Sequence, residues 1–381
     1  MWDLIIVGAG PAGSTAALSA LRSDPRASVL LLDAAAFPRD KVCGDGVAPH
    51  ALDVLRELGI DLELLVAGTR PITRLRMRSP GGVVASRAFA RPAHVVPREL
   101  FDDRLVRAAV AAGAVLQRRR VRTIQQTPRG VIVDGDLQGR TVIGADGCES
   151  VVRRESAARA APPGTLAIAV RGYAPAHPWP ANEQLLAMTR IRWPAYAWAF
   201  PIGNGMANVG YGELLQGPPP TREHLARRLH ELLPRAEPGP LRGHRLPLST
   251  GRPDVGHGRL LLVGDAASLI NPLTGEGIYY AVLSGALAGR AAALAPDPAR
   301  TYRHSLRNAL GSHLRQTDLI ARLGRWPILL DIGAVAARER QPIFDKLVEF
   351  GLGDGRIGPA FVPAFLKSGL RLTTTSRPDT N

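Results

Sequence analysis

The sequence of 381 residues predicts an α/β fold, because short apolar strands run repeatedly into turns of glycine and acidic residues. Three such turns carry the prediction, at residues 8–13, 144–147 and 264–277. Glycine has no Cβ atom, so backbone N–H groups can approach a ligand closely there. At a helix N-terminus these groups favour negative charge, such as that of a phosphate. The pattern therefore indicates strand ends that bind a nucleotide.

The first turn lies between a short apolar strand and a helix of small residues. Its glycines fill the pattern G-x-G-x-x-G, and the next strand ends in an acid twenty residues after the last glycine. In this Rossmann-like context, pyrophosphate lies on the helix N-terminus and the acid binds ribose hydroxyls. The pattern fits both FAD and NAD. The residues predicted to bind the dinucleotide are Gly8, Gly10, Ala12, Gly13 and Asp33.

A glycine-rich segment at residues 38–47 follows, and it contains Lys41, Cys43 and Gly44. Glycines beside the cysteine indicate a backbone packed tightly on a ligand. The Cys43 thiol fits two interpretations equally, as a proton donor or redox group, or as a small residue packed on a ring. A thiol with an ordinary pKa of about 8.5 is a weak proton donor at neutral pH.

Arg98 opens a predicted helix that extends to residue 112. A cation is unfavourable at the N-terminal end of a helix, where the helix dipole is positive. Arg98 is therefore predicted to reach a phosphate of the cofactor.

The two later turns also follow apolar strands and contain an acid beside glycine. Asp265, at the end of its strand, is placed to accept hydrogen bonds from hydroxyl groups. One extended cofactor that touches all three turns explains their wide spacing, and FAD is long enough. The residues of the later turns predicted to bind FAD are Asp146, Gly147, Gly264, Asp265, Pro272, Gly275, Gly277 and Ile278.

Three aromatic residues, Tyr196, Trp198 and Phe200, alternate with alanines. This is strand spacing, and it places three rings on one face. The face is either part of a packed core or an apolar wall for a hydrophobic substrate. A long isoprenoid would be held there mainly by apolar area, at about 25 cal/mol per Å².

The formal net charge is +15, carried almost wholly by arginine. It reflects either a GC-rich genome or attraction to anionic lipid headgroups and acidic partners. Nucleic-acid binding is not expected, because the arginines are dispersed without an aromatic–basic motif. Two cysteines indicate a reducing compartment. With no signal peptide or membrane-spanning stretch, we expect a cytoplasmic protein, with peripheral contact at the inner membrane face as an alternative.

These motifs resemble the FAD-dependent oxidoreductases with the para-hydroxybenzoate hydroxylase fold. The chain is most similar to the geranylgeranyl reductase family, including the menaquinone reductases of actinobacteria. The similarity covers roughly the first three quarters of the chain. It depends on the glycine-rich turns with Asp33, the segment Lys41–Gly46, and the motif Tyr-x-Trp-x-Phe-Pro at residues 196–201, followed by residues 208–212.

The resemblance implies a Rossmann-like FAD-binding domain of the glutathione reductase type, interleaved with a mixed β-sheet substrate domain and followed by C-terminal helices. The FAD-binding domain would comprise residues 1–70, 96–155 and 255–300. The substrate domain would comprise residues 71–95 and 156–254, and the helical region residues 301–381. In the C-terminal region, an apolar run at Trp326–Leu330 either caps the cavity, lies on a membrane surface or packs as an ordinary helix.

The resemblance also implies roles for individual residues. Asp265 would bind the ribityl chain, and Gly275–Ile278 would lie against the flavin pyrimidine edge. Cys43 would lie near the flavin ring and is a candidate catalytic residue together with Tyr196 and Trp198. The residues expected to contact the substrate are Tyr196, Trp198, Phe200 and Tyr211.

The implied activity is transfer of hydride from reduced FAD to a carbon–carbon double bond of an isoprenoid-type substrate. Electrons would come from NAD(P)H or from an external reductant such as a donor protein, because no second dinucleotide fold is found. The alternative is an FAD-dependent monooxygenase that acts on a hydrophobic natural product. A halogenase is less favoured, because no lysine lies between Lys41 and Lys346. A non-catalytic flavoprotein is a further alternative, and no metal-ligand cluster is found.

Overall fold

The computed structural model describes residues 1–156, 158, 162, 164–190, 194–323, 327–359, 361, 363 and 365. The described residues form two sheets of eight strands each, together with flanking helices. The α/β architecture predicted from the sequence is confirmed.

The strands, in chain order, are β1 (Trp2–Val7), β2 (Val29–Asp33), β3 (Gly46–Val47), β4 (Ile72–Arg78), β5 (Val84–Val95), β6 (Val115–Arg118), β7 (Ile124–Thr127), β8 (Gly130–Val133), β9 (Leu137–Gly144), β10 (Leu166–Pro175), β11 (Glu183–Met188), β12 (Ala195–Gly203), β13 (Met206–Leu214), β14 (Arg242–Pro247), β15 (Gly256–His257) and β16 (Leu260–Leu262). The helices are α1 (Pro11–Ser23), α2 (Pro49–Glu57), α3 (Leu62–Val66), α4 (Arg98–Ala111), α5 (Val151–Glu155), α6 (Arg222–Leu232), α7 (Ile278–Leu294), α8 (Pro298–Leu323), α9 (Pro327–Glu339) and α10 (Gln341–Leu352). A short 3-10 helix covers Gly264–Ala267.

The first sheet has the strand order β15-β16-β9-β1-β2-β6, and β8 joins it through β9. Its central strands β16, β9, β1, β2 and β6 run parallel, and all four residues of the β1 segment from Leu4 to Val7 are buried. Val7 pairs with Gly144, which in turn pairs with Leu262. Because the carboxyl ends of these strands are in register, the three glycine-containing turns meet at one edge of the sheet.

Helices α1 and α7 pack closely, because small residues line their contact. A Cβ atom at Gly285 would lie 2.2 Å from the carbonyl oxygen of Ala12, and one at Gly289 would lie 2.1 Å from that of Ala16. These distances leave no room for a side chain at either glycine. The contact places the N-terminus of α1 beside the turn that opens α7.

The second sheet is mixed, with the strand order β14-β10-β13-β12-β11-β4-β5-β3. Strands β4 and β5 form a hairpin and pair antiparallel, whereas β11 pairs parallel with β4. Helices α9 and α10 contact β5. The limits of the two domains along the chain stay a prediction.

The predicted helical character of residues 301–352 is confirmed by α8, α9 and α10. In the predicted apolar run, Trp326 lies outside the described residues, whereas Ile328 is exposed at the start of α9. Within the described part of the chain, none of the helices combines the length and the apolar character needed to cross a bilayer.

We expect Gly289→Ala to destabilise the protein, because the added Cβ would meet the backbone of α1. Alanine favours a helix over glycine by about 1 kcal/mol, but overpacking a close contact costs about 1–3 kcal/mol or more. Urea unfolding should therefore give a lower free energy of unfolding for this variant. Gly311→Ala in α8 is the control, since the nearest atoms to its Cβ belong to flexible arginine side chains. Equal changes in both variants would contradict the proposed close contact.

Candidate active site

A single cavity of about 870 Å³ extends from the edge of the first sheet to one face of the second. It reaches all three glycine-containing turns, the segment at residues 39–48 and the aromatic residues of β12. The predicted site residues that line it are Gly8, Gly10, Ala12, Asp33, Lys41, Cys43, Gly44, Arg98, Asp146, Gly147, Tyr196, Trp198, Phe200, Asp265, Pro272, Gly275, Gly277 and Ile278. One continuous space therefore joins motifs that are far apart in the sequence.

Three predicted residues do not line this cavity. Gly13 and Gly264 act in packing instead: a Cβ at Gly13 would lie 1.8 Å from the carbonyl oxygen of Gly8, and one at Gly264 would lie 3.2 Å from Cβ of Ala12. They allow the turns to approach one another without facing the ligand. The third exception, Tyr211, is described with the aromatic wall below.

The conformation of the first turn is fixed by a close backbone contact at Gly8 and by hydrogen bonds to Asp33. Gly8 has a φ of +100°, and a Cβ there would lie 2.3 Å from the carbonyl oxygen of Ala145. The carboxylate of Asp33 accepts hydrogen bonds from the N–H groups of Ala9 and Ala35, both at 2.9 Å. The turn is thus fixed between the ends of β2 and β9, and Gly8 and Gly10 face the cavity.

Two guanidinium groups lie at this turn. Arg98 makes a bidentate ion pair with Asp102, at 2.6 and 2.7 Å, and Arg39 bonds to Asp102 at 3.0 Å and to Asp33 at 3.3 Å. A Cβ at Gly10 would lie 3.7 Å from Arg39 and 3.8 Å from Arg98. The structure therefore places Arg98 beside the first glycine turn, together with Arg39, which was not identified from the sequence. That Arg98 reaches a phosphate stays a prediction.

Lys41 and Asp265 form an ion pair at 3.1 Å on the cavity wall. Burial alone would raise the pKa of Asp265, but the charge of Lys41, its hydrogen bond to the carboxylate and the charge of Arg98 outweigh burial and hold the pKa below its usual range. Asp265 is therefore an ionised carboxylate, able to accept hydrogen bonds from hydroxyl groups. Its role toward a ribityl chain remains a prediction.

His244, also missed from the sequence, lies 3.9 Å from the sulfur of Cys148. Burial and the nearby charge of Lys41 lower the pKa of His244 to about 4. The imidazole is therefore neutral at neutral pH. Burial likewise raises the pKa of the Cys148 thiol, so the pair does not supply a thiolate.

The Cys43 thiol lines the cavity next to Gly44. Burial raises the pKa of Cys43, an effect that the charge of Arg98 opposes without reversing. The thiol is therefore protonated at neutral pH. This favours the interpretation of Cys43 as a packing residue over that of a reactive thiolate, since the thiolate is the nucleophilic form.

The rings of Tyr196, Trp198 and Phe200 form one wall of the cavity, here called the aromatic wall. Neighbouring ring centroids are 6.0 and 6.5 Å apart. The indole N–H of Trp198 donates to Oδ1 of Asn208 at 2.8 Å, and the hydroxyl of Tyr196 donates to the carbonyl of Thr274. The alternating aromatic residues therefore form a wall of the cavity, and the polar atoms of Tyr196 and Trp198 are hydrogen bonded within the protein.

Tyr211 is not part of this wall. It pairs with Ala197 across β12 and β13, so its side chain lies on the opposite face of the sheet, where its hydroxyl donates to Glu213 at 2.8 Å. Strand residues alternate between faces, so Tyr211 cannot share a face with Trp198. The expectation that it contacts the substrate is corrected accordingly.

Asp45 connects the aromatic wall to the segment at residues 39–48. Its Oδ2 accepts hydrogen bonds from Tyr173 at 2.8 Å and from Asn208 at 2.7 Å, while Oδ1 has no partner among the described residues. Burial raises the pKa of Asp45 to about 6. Sequence reasoning missed it because its importance depends on partners more than a hundred residues away.

Glu276 lies between Gly275 and Gly277 at the start of α7, and it lines the cavity. Its Oε1 accepts a hydrogen bond from the N–H of Tyr279 at 2.8 Å. Burial raises the pKa of Glu276 to about 7. The carboxyl can therefore hold a proton near neutral pH. An acid flanked by two glycines before an apolar helix was the sequence signal that could have identified it.

We expect Asn208→Ala to lower the free energy of unfolding by about 1–3 kcal/mol, because it removes three buried hydrogen bonds. The indole N–H of Trp198 loses its partner, whereas the carbonyl of Cys43 and the carboxyl of Asp45 each keep one, from Arg171 and from Tyr173. Urea unfolding of the FAD-loaded protein would measure the change. Asn182→Ala is the control, since this exposed asparagine donates only to Thr73 among the described side chains and should change stability by less than about 0.5 kcal/mol.

Comparison with known proteins agrees with this geometry. The model of the FAD binding domain family matches residues 1–185. The menaquinone reductase of Mycobacterium tuberculosis is 34% identical over 310 residues, which cover 75% of each chain. The geranylgeranyl diphosphate reductase of Rhodobacter capsulatus is 33% identical over 311 residues, which cover 76% of this chain and 75% of that protein.

Among solved structures, a geranylgeranyl bacteriochlorophyll reductase-like protein from Thermoplasma acidophilum superposes with a TM-score of 0.74. The match covers 98% of each chain at 22% identity, which shows a shared fold. The sequence relatives, together with the glycine turns and Asp33 gathered at one sheet edge, establish both the cofactor and the family. The chain belongs to the geranylgeranyl reductase family of FAD-dependent oxidoreductases.

Proposed function

We propose that the protein saturates a carbon–carbon double bond in the prenyl chain of an apolar isoprenoid. The observation that supports this most directly is that one cavity joins the aromatic wall to the acidic turn at Glu276. The hydroxyl of Tyr196, at one end of the wall, bonds to the carbonyl of Thr274, two residues before Glu276. A prenyl chain lying on the wall would thus end beside a proton-holding group.

The residues at the carboxyl ends of the strands of the first sheet are suited to bind FAD. The N-terminal turn with Arg39 and Arg98 would hold the pyrophosphate, Asp33 the adenosine ribose, and Asp265 the ribityl hydroxyls. Bound FAD, once reduced, supplies the hydride that the reaction needs. We propose that its electrons come from NAD(P)H that binds transiently or from a donor protein.

An isolated alkene is a poor hydride acceptor, so a proton must reach one carbon as the hydride reaches the other. We propose that Glu276 gives this proton. Its carboxyl O–H breaks, a C–H bond forms, and the carboxylate is reprotonated from solvent before the next turnover. Tyr196 and Trp198 orient the chain and keep water away, because their polar atoms are already paired within the protein.

The net charge of +15 and the apolar wall together suggest how the substrate arrives. A basic surface is attracted to anionic lipid headgroups, and a prenyl chain resides in lipid. We propose that the protein takes its substrate at a membrane surface by peripheral contact.

The FAD-loaded protein, reduced and kept without air, is expected to add two hydrogens to a polyprenyl quinone or a polyprenyl phosphate. Mass spectrometry of the lipid would show the gain. A gain of one oxygen that occurs only in air would instead identify a monooxygenase and overturn the proposal. No change in either lipid would remove the isoprenoid assignment while leaving the fold intact.

We expect Glu276→Gln to lower the rate of double-bond reduction in a single turnover of the reduced, FAD-loaded protein by about 100-fold or more, because the amide has the shape of the acid but no proton to give. In the wild type, this rate should fall as pH rises through about 7, since the protonated fraction of Glu276 falls there. The variant should show a low and flat profile in the same assay. A pH profile in the variant that still falls near pH 7 would assign the proton to another group.

The same variant has a consequence for stability that does not depend on turnover. The pKa of Glu276 is raised on folding, so its contribution to stability is present below pH 4.5 and lost as pH rises through about 7. Glu276→Gln should therefore stabilise the FAD-loaded protein more at pH 8 than at pH 5, by on the order of 1–3 kcal/mol. Glu57→Gln, at an exposed position of α2, is the matched control and should show no such difference.

A further inference from the structure

A carboxamide interrupts the otherwise apolar part of the cavity beyond the aromatic wall. Gln184 lies on β11, is 5% exposed and lines the cavity. Leu186, two residues along the strand, pairs with Trp198, so Gln184 shares the face of the aromatic wall. On its other side, Gln184 pairs with Leu75 of β4, which also lines the cavity.

Gln184 differs from the polar side chains of the aromatic wall in having no partner. The hydroxyl of Tyr196 and the indole N–H of Trp198 are both bonded within the protein. Among the described residues, none hydrogen bonds to the carboxamide of Gln184. Its Nε2 lies 3.6 Å from the position of a Cβ at Gly46, beside the ring of Phe200. The carboxamide faces the cavity, so its donor and its acceptor are both available to a ligand.

The ligand group that fits this position is uncharged. A carboxamide donates and accepts hydrogen bonds but carries no charge to balance a phosphate. The neighbours of Gln184 on this face of the sheet, Leu75, Leu186 and Trp198, carry no charge. A carbonyl, hydroxyl or ether oxygen satisfies the amide, whereas a diphosphate would need guanidinium or ammonium groups beside it.

Gln184 also lies far from the acidic turn. Phe200, at its level of the sheet, is four residues from Tyr196, and a strand rises about 3.3 Å per residue. The amide is therefore roughly 13 Å along the wall from the end where Tyr196 meets Thr274. This length of prenyl chain separates a group bound at Gln184 from a double bond beside Glu276.

We propose that Gln184 determines specificity by hydrogen bonding to an uncharged oxygen of the substrate headgroup. With that oxygen held, the prenyl chain extends along the aromatic wall, and the fixed distance selects which double bond is saturated. This inference rests on the proposed function, because it assumes a prenyl chain on the wall. It assigns Gln184 a role in binding and positioning and no role in proton transfer.

Binding tests the inference without turnover. The probes are a naphthoquinone that carries a short prenyl chain and a prenyl hydrocarbon of equal length without oxygen, titrated calorimetrically into the oxidised FAD-loaded protein. Gln184→Leu should weaken quinone binding about tenfold, the value of one hydrogen bond, and leave hydrocarbon binding within about twofold. Gln138→Leu, at an exposed position of β9, is the matched control and should change neither. Equal losses for both probes, or no loss, would overturn the inference.

Product analysis gives the second measurement. Tandem mass spectrometry should find the added hydrogens at one double bond in the wild type and at several in Gln184→Leu. An unchanged position in the variant would contradict the fixed-distance role. If the wild type saturates neither probe, the proposed function fails, while the binding comparison still decides the role of Gln184. If Gln184→Leu does not fold, Gln184→Met provides the same comparison with a flexible unbranched side chain.

Discussion

The carboxamide of Asn208 is the interaction on which the geometry of the cavity depends. It accepts from the indole of Trp198, and it donates to the carbonyl of Cys43 and to Asp45. These bonds join β13 and the aromatic wall on β12 to the segment that runs from the first sheet. Asn208 is fully buried, so each bond is made away from water and would be costly to lose. The cofactor side and the substrate side of the cavity are thereby held at a fixed separation.

The carboxyl groups of the cavity are of two kinds, those paired with a cation and one, Glu276, that is not paired with a cation among the described residues. Where a phosphate or a hydroxyl is expected, carboxylates are paired with cations, as in Arg98 with Asp102 and Lys41 with Asp265. In such pairs each charge offsets part of the cost of burying the other. Among the described residues, no cation pairs with Glu276, so burial dominates and favours its protonated form. The same cavity thus holds paired charges and, at Glu276, a carboxyl group that can keep its proton near neutral pH.

The aromatic wall is apolar on the side that faces the cavity. Tyr196 and Trp198 contribute rings while their polar atoms bond to the protein, so the surface they present is effectively apolar. Gly210 makes this possible, because a Cβ there would lie 2.2 Å from the indole ring of Trp198. Against this background the free carboxamide of Gln184 is the exception that a substrate oxygen would satisfy. Apolar area would hold the chain, and a polar contact would set its register.

The sequence by itself determined the features that depend on neighbouring residues. The glycine turn ending at Gly13, the acid at Asp33 and the later turns at residues 144–147 and 264–277 each follow from local backbone geometry, and together they indicated FAD. The alternation from Tyr196 to Phe200 indicated a strand with three rings on one face. Only the tertiary structure decided which side chains meet. Strand register places the Tyr211 side chain on the face away from the cavity, and burial raises the pKa of Glu276 to about 7. Both depend on contacts between residues far apart in the chain, and local spacing carries no information about those contacts.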